Sequence, residues 1–193
     1  MLKWIAFVLV VSPSCFAASA VLKVAQVHGM VRLNGNSVKV GDELPQGGVI
    51  EVDKDKTASI DIQYPEGHYL RLKAGTKLKL GGDSYQMELL LGQIYLHAIP
   101  GKNADKIRVK TRAVIAGVRG TKFTVEEYPN HSSYICVCEG QVSVTGVNDH
   151  ATDGERLVKV GEDLWARPGK AMGQPISSPG MSKMTTAEFS SMP

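Results

Sequence analysis

The sequence predicts an all-β fold, either a twisted β-solenoid-like arrangement or a β-sandwich with Gly-rich turns. Three observations carry that expectation. Short segments alternate apolar and polar residues with period two, turn signals separate them at roughly 8–15-residue intervals, and 20 glycines are spread along the 193 residues. Hydrophobic residues make up 43% and charged residues 21%, a balance that supports a buried core and excludes wholesale disorder.

The alternation is clearest in four places. Val27, the pair Met30-Val31 and Leu33 are separated by polar residues or glycine, and Ala58-Ser59-Ile60-Asp61-Ile62-Gln63-Tyr64 alternates throughout. Tyr69-Leu70-Arg71-Leu72-Lys73 and Lys77-Leu78-Lys79-Leu80 follow the same rule. One apolar face per segment marks half-buried antiparallel strands. The breaks between them are Asn34-Gly35-Asn36, Gly47-Gly48, Pro65-Glu66-Gly67, Ala74-Gly75, Gly81-Gly82-Asp83 and Pro100-Gly101, all turn formers.

A pseudo-repeat runs through the chain. Gly29-Met30-Val31-Arg32-Leu33 recurs as Gly92-Gln93-Ile94-Tyr95-Leu96 and as Gly140-Gln141-Val142-Ser143-Val144. The first and third are followed by related corners, Val38-Lys39-Val40-Gly41-Asp42-Glu43-Leu44 and Leu157-Val158-Lys159-Val160-Gly161-Glu162-Asp163-Leu164. Units this small cannot bury an apolar face alone, so they are expected to stack or pair into one core.

The two ends differ from the middle. Lys3, the apolar run Trp4–Val11, the break at Pro13 and the small residues Ala17-Ala18-Ser19-Ala20 follow the plan of a secretory signal peptide, with cleavage expected after Ala20. The run falls short of the ~20 residues a membrane span needs, so no transmembrane helix is expected in the mature chain. Cys15 follows Ser12-Pro13-Ser14, which lack the aliphatic residue of a lipidation box, and this argues against a lipoprotein. Losing Lys3 takes the net charge from +3 to +2, too small to imply nucleic-acid binding. The expected organisation is a signal peptide over residues 1–20, a β domain over 21–167 and a flexible C-terminal tail over 168–193. The tail carries Pro175, Pro179 and Pro193, with a short capping box at Thr185 and Glu188.

The stretch Val109-Lys110-Thr111-Arg112-Ala113-Val114, then Val118-Arg119-Gly120-Thr121-Lys122-Phe123-Thr124-Val125 and Glu139-Gly140-Gln141-Val142 resembles the signature of the FecR family. The resemblance covers roughly residues 25–167. It implies a FecR-type β fold and a non-enzymatic role in binding, sensing or scaffolding at the bacterial cell envelope. The partner it implies is an envelope protein or a cell-wall component, the location is the periplasm, and no cofactor is implied. Characterised members sit on one transmembrane helix with a cytoplasmic segment that controls a sigma factor. No such segment is expected before the apolar run here, and the sequence is more similar to stand-alone exported members.

Within the motif, Arg119, Gly120, Thr121, Phe123, Glu139 and Gly140 are the candidate structural or ligand-contacting residues. Gly117 and Gly120 suit a bend or a close backbone approach. Thr121, Phe123 and Val125 are expected on one face. Arg119 is expected to tie neighbouring strands, with Glu139 as a candidate carboxylate.

Cys136-Val137-Cys138 is the most unusual feature. Residues i and i+2 of a strand share a face, so the two thiols converge, with Cα atoms about 6.6 Å apart, close to the upper limit for a disulfide. Three uses fit: buried packing, a redox pair, or a soft-metal site for Cu(I) or Zn(II) assisted by His131. No metalloprotease, nucleophile-elbow or phosphate-loop motif is present. Glu126-Glu127 and Asp53-x-Asp55 read as solvated turns. Arg108, Lys110 and Arg112 form a short basic stripe, and Tyr64, Tyr69, Tyr85, Tyr95, Tyr134 and Trp165 are candidates for an aromatic face.

Overall fold

The structure is a computed structural model that describes residues 21–83, 85–118, 120–147, 154–170, 172–173 and 176–177. The expected signal peptide, Arg119, the Thr185–Glu188 box and most of 168–193 lie outside these residues.

The described residues form seventeen strands and one short 3-10 turn, Ala104–Lys106. Hydrogen bonding arranges the strands in two sheets. The front sheet runs β4 (Glu43–Leu44), β1 (Leu22–His28), β6 (Ser59–Gln63), β7 (Tyr69–Lys73), the second half of β9 (Gln86–His97), β12 (Lys122–Glu127), β13 (Ser133–Glu139), β16 (Glu162–Ala166) and β17 (Ile176–Ser177). The back sheet runs β3 (Asn36–Ser37), β2 (Val31–Leu33), β5 (Val49–Val52), β8 (Lys77–Leu80), the first half of β9, β10 (Arg108–Lys110), β11 (Val114–Val118), β14 (Gln141–Gly146) and β15 (Arg156–Lys159). Among the described pairings only β9–β10 is parallel.

Inward residues of both sheets merge into one core. Ile60, Ile62, Leu70, Leu72, Ile94, Leu96, Phe123, Val125, Ile135 and Val137 come from the front, and Leu78, Leu89, Val109, Ala116, Val142 and Val144 from the back. These are the apolar positions of the alternating segments, as the period-two rule requires.

The pseudo-repeat is a structural device. Gly29, Gly92 and Gly140 each sit where the chain passes from one sheet to the other, with φ of +68°, +88° and +78°. The Gly41 and Gly161 corners also match: Asp42 and Glu162 accept the backbone N–H of Lys39 and Lys159, both at 2.8 Å. The strand order β2-β3-β4 is thus repeated by β14-β15-β16.

Structured chain continues past residue 167. Met172 is buried in the core, and Ile176–Ser177 pair with β16.

Candidate functional site

The outer face of the front sheet is the most distinctive surface. Asp61, Arg71, Tyr95, Thr124, Cys136 and Asp163 lie in register across six strands. Polar residues on an outer face are ordinarily solvated, yet all but Arg71 are buried, and the Arg71 side chain is 13% exposed. Long neighbours in adjacent rows cover them, with the Lys73 ammonium lying 5.6 Å from the centre of the Tyr95 ring. Arg71 donates two hydrogen bonds to Asp61, Nε to Oδ1 and Nη2 to Oδ2, each 2.6 Å.

Towards β16 this row meets an aromatic platform. Trp165 is 42% exposed. Its ring stacks on Tyr128 at 5.5 Å and is tilted against Tyr134 at 4.8 Å. Of the aromatic residues singled out in the sequence, Tyr134 and Trp165 meet here. Tyr64 and Tyr85 stack elsewhere, 6.2 Å apart, and Tyr95 is buried. Tyr128 was not among the candidates. Its place after β12, in the Tyr128–Ser132 turn closed by the Tyr128 N–H to Ser132 carbonyl bond, sets it beside Trp165.

Cys136 and Cys138 lie on the same outer face, both as free thiols. Cys136 is buried and Cys138 half-buried. A β-bulge explains the second position: Phe123 pairs with Val137 and Lys122 with Glu139, so Cys138 is the extra residue of β13 between these pairs. The two thiols are within hydrogen-bonding reach of each other, which draws Cys136 down to about 7 and pushes Cys138 up. The Tyr134 hydroxyl reaches Cys136 and also donates to Asp163 Oδ2 at 3.1 Å. His131 stands apart from the thiols. It occupies the turn at the opposite end of β13, with Nδ1 3.8 Å from Glu127. The described residues gather no set of three or more His, Cys, Asp and Glu side chains fit to hold a metal.

The remaining motif residues are distributed through the core and its rim. Thr121 and Phe123 are buried, as is Val125 on the same face. Gly120 passes so close to Pro100 that an added Cβ would lie 2.7 Å from the Pro100 Cα. Glu139 pairs with Lys122 at 2.7 Å. Arg119, its expected partner, lies outside the described residues. Thr111 closes the turn after β10: its hydroxyl oxygen accepts the N–H groups of Ala113 and Val114 at 3.3 and 3.1 Å. Of the basic stripe, Lys110 faces Glu88 at 3.5 Å, and the Arg108 guanidinium folds back on the Asp105 and Ile107 carbonyls. Both also line a groove of ≈490 Å³ on the back sheet.

Glu127 corrects the expectation of a solvated turn. It is buried, and its Oε2 accepts from the Ser133 hydroxyl at 2.7 Å, next to Thr111. Burial raises its carboxyl above the ordinary 4.5, against the opposing hydrogen bond from Ser133. The folded chain therefore holds this proton more tightly than the unfolded chain. Its stabilising contribution is complete below about 4.5 and is lost as the pH rises through the elevated value. Glu127→Gln is expected to flatten that decline, with a smaller fall in Tm from pH about 4.5 to 7 than the parent shows in parallel thermal melts. An unchanged slope would remove Glu127 as its source.

Fold and site together define an all-β, two-sheet domain of the FecR type. Residues 49–143 match the family described as FecR protein. No curated protein matches the chain. Two crystal structures of a candidate anti-sigma factor from Parabacteroides distasonis ATCC 8503, at 1.65 and 2.50 Å resolution, share the fold. Each has a TM-score of 0.55 and 17% identity over 67% of this chain and 59% of that chain. The chain thus spans less than two thirds of the length of the solved structures it matches. Among the described residues no helix is long and apolar enough to cross a membrane.

Proposed function

We propose that this chain is an exported, non-catalytic recognition domain of the bacterial envelope, which docks a periplasmic protein in a sensing or scaffolding role through the Trp165 platform. The observation that carries this reading is a tryptophan left 42% exposed while packed against two tyrosines. Packing of this kind fixes the ring before a partner arrives, which reduces the ordering cost of docking. Tryptophan and tyrosine are also the side chains most often found as binding hot spots. The match of residues 49–143 to the FecR family supports a signalling context, and the apolar run Trp4–Val11 followed by Ala18-Ser19-Ala20 supports export.

The test compares two variants of an affinity-tagged chain expressed in its native envelope. Trp165→Ala is expected to weaken partner retention about tenfold or more. Val160→Ala, at an exposed apolar residue on the β15–β16 corner, is expected to leave it unchanged. Equal retention by both variants, with both folded, would refute the platform. The same preparation tests export, since its intact mass should correspond to a chain that begins at Val21.

A further inference from the structure

We propose that Cys136 and Cys138 form a reversible thiol–disulfide pair, in which the half-exposed Cys138 exchanges with an external disulfide and the buried Cys136 resolves the mixed disulfide. The two residues share the outer face of β13, and their thiols lie within hydrogen-bonding reach of each other. A strand spacing of about 6.6 Å between their Cα atoms lies inside the range a disulfide spans, near its upper end. Cys138 is the extra residue of the β13 bulge, where the strand departs from its regular register with β12. A disulfide closed near that limit is readily reduced, which suits a switch better than a permanent brace.

The chemistry balances in two exchanges. Cys138 Sγ bonds to one sulfur of an external disulfide R–S–S–R; its proton leaves with the displaced R–S⁻ as R–SH. Cys136 Sγ then gives up its proton, bonds to Cys138 Sγ and expels the second R–S⁻, which is protonated. The protein dithiol loses two electrons and two protons, and the external disulfide becomes two thiols. The Tyr134 hydroxyl within reach of Cys136 Sγ helps to hold the charge of the resolving thiolate. The inference does not depend on the platform, since loss of docking at Trp165 leaves the thiol chemistry intact.

The test incubates the full chain with mixtures of oxidised and reduced glutathione, followed by acid quench, alkylation and mass mapping. Cleavage after Lys122 and Arg156 leaves both cysteines in one peptide, 123–156. The expected result is a disulfide inside that peptide which reverses on addition of reduced glutathione. Cys136→Ser is expected to trap a glutathione adduct on Cys138 that persists at least about tenfold longer than in the parent. Cys138→Ser is expected to lose most adduct formation at Cys136 in the folded chain, with a circular-dichroism spectrum showing that it remains folded. A parallel arm with an oxidised dithiol protein in place of glutathione separates a protein disulfide from a small-molecule one as the oxidant. Thiols that stay reduced with both oxidants would overturn the proposal, as would a soft metal bound in stoichiometric amount, or adducts that form on Cys136 first.

Discussion

Replacing Gly92 with alanine lowers the stability of the domain by about 3 kcal/mol or more, observed as a fall of roughly 6–12 °C in Tm. Gly92 is the point at which β9 leaves the back sheet and enters the front sheet. Its φ is +88°, where a side chain costs about 1–2 kcal/mol. A Cβ there would also lie 2.6 Å from the Thr76 Cα and 3.0 Å from its nitrogen, which are backbone atoms and cannot rotate away. Thr76 is itself clamped. Its hydroxyl donates to the Gln93 carbonyl at 3.0 Å and accepts the Gln93 N–H at 3.1 Å. Any retreat of Thr76 therefore breaks the bonds that hold the bend, and overpacking of this kind adds about 1–3 kcal/mol. Gly82→Ala is the control: an added methyl meets nothing within 4 Å, and the change should stay within about 0.5 kcal/mol. Thermal melts of both variants decide the matter, and equal Tm values would remove Gly92 as the hinge between the sheets.

Arg71→Ala has a comparable effect by a different route. It leaves the Asp61 carboxylate, whose side chain is 3% exposed, without its bidentate partner. Removing one member of a buried pair costs about 3–5 kcal/mol, because the stranded charge has neither water nor a cation to replace it. The double variant Asp61→Leu with Arg71→Met restores most of the loss, since the pair itself contributes little net stability once its desolvation is counted. Denaturant titration of the three variants measures the coupling. A double variant as unstable as Arg71→Ala would show that the pair holds the row together in some further way.

The inward half of this architecture was legible in the sequence. Ile60 and Ile62, Leu70 and Leu72, and Leu78 and Leu80 alternate in the chain and face the core in the fold. The three glycine-led repeats also marked the sheet crossings, because a sharp change of direction beside a neighbouring strand demands a residue without a side chain. The outer half was not legible. Alternation assigns Asp61, Thr124 and Cys136 to the face away from the core, and says nothing of the tyrosines, lysines and Trp165 that cover that face from other strands. The burial of Glu127 was illegible for the same reason: its neighbours Thr111 and Ser133 come from the turn after β10 and from the strand paired with it. His131 and the cysteines are close in sequence, but an extended strand separates them along its length. The spacing that suggested a shared site holds them apart.

The most direct test of docking places a photo-crosslinking amino acid at position 165 in cells that express the full chain. The same residue at position 77, on the back sheet, provides the comparison. A crosslink to one envelope protein is expected from position 165 and none from position 77. Equal crosslinking from both positions, or none from 165, would contradict it.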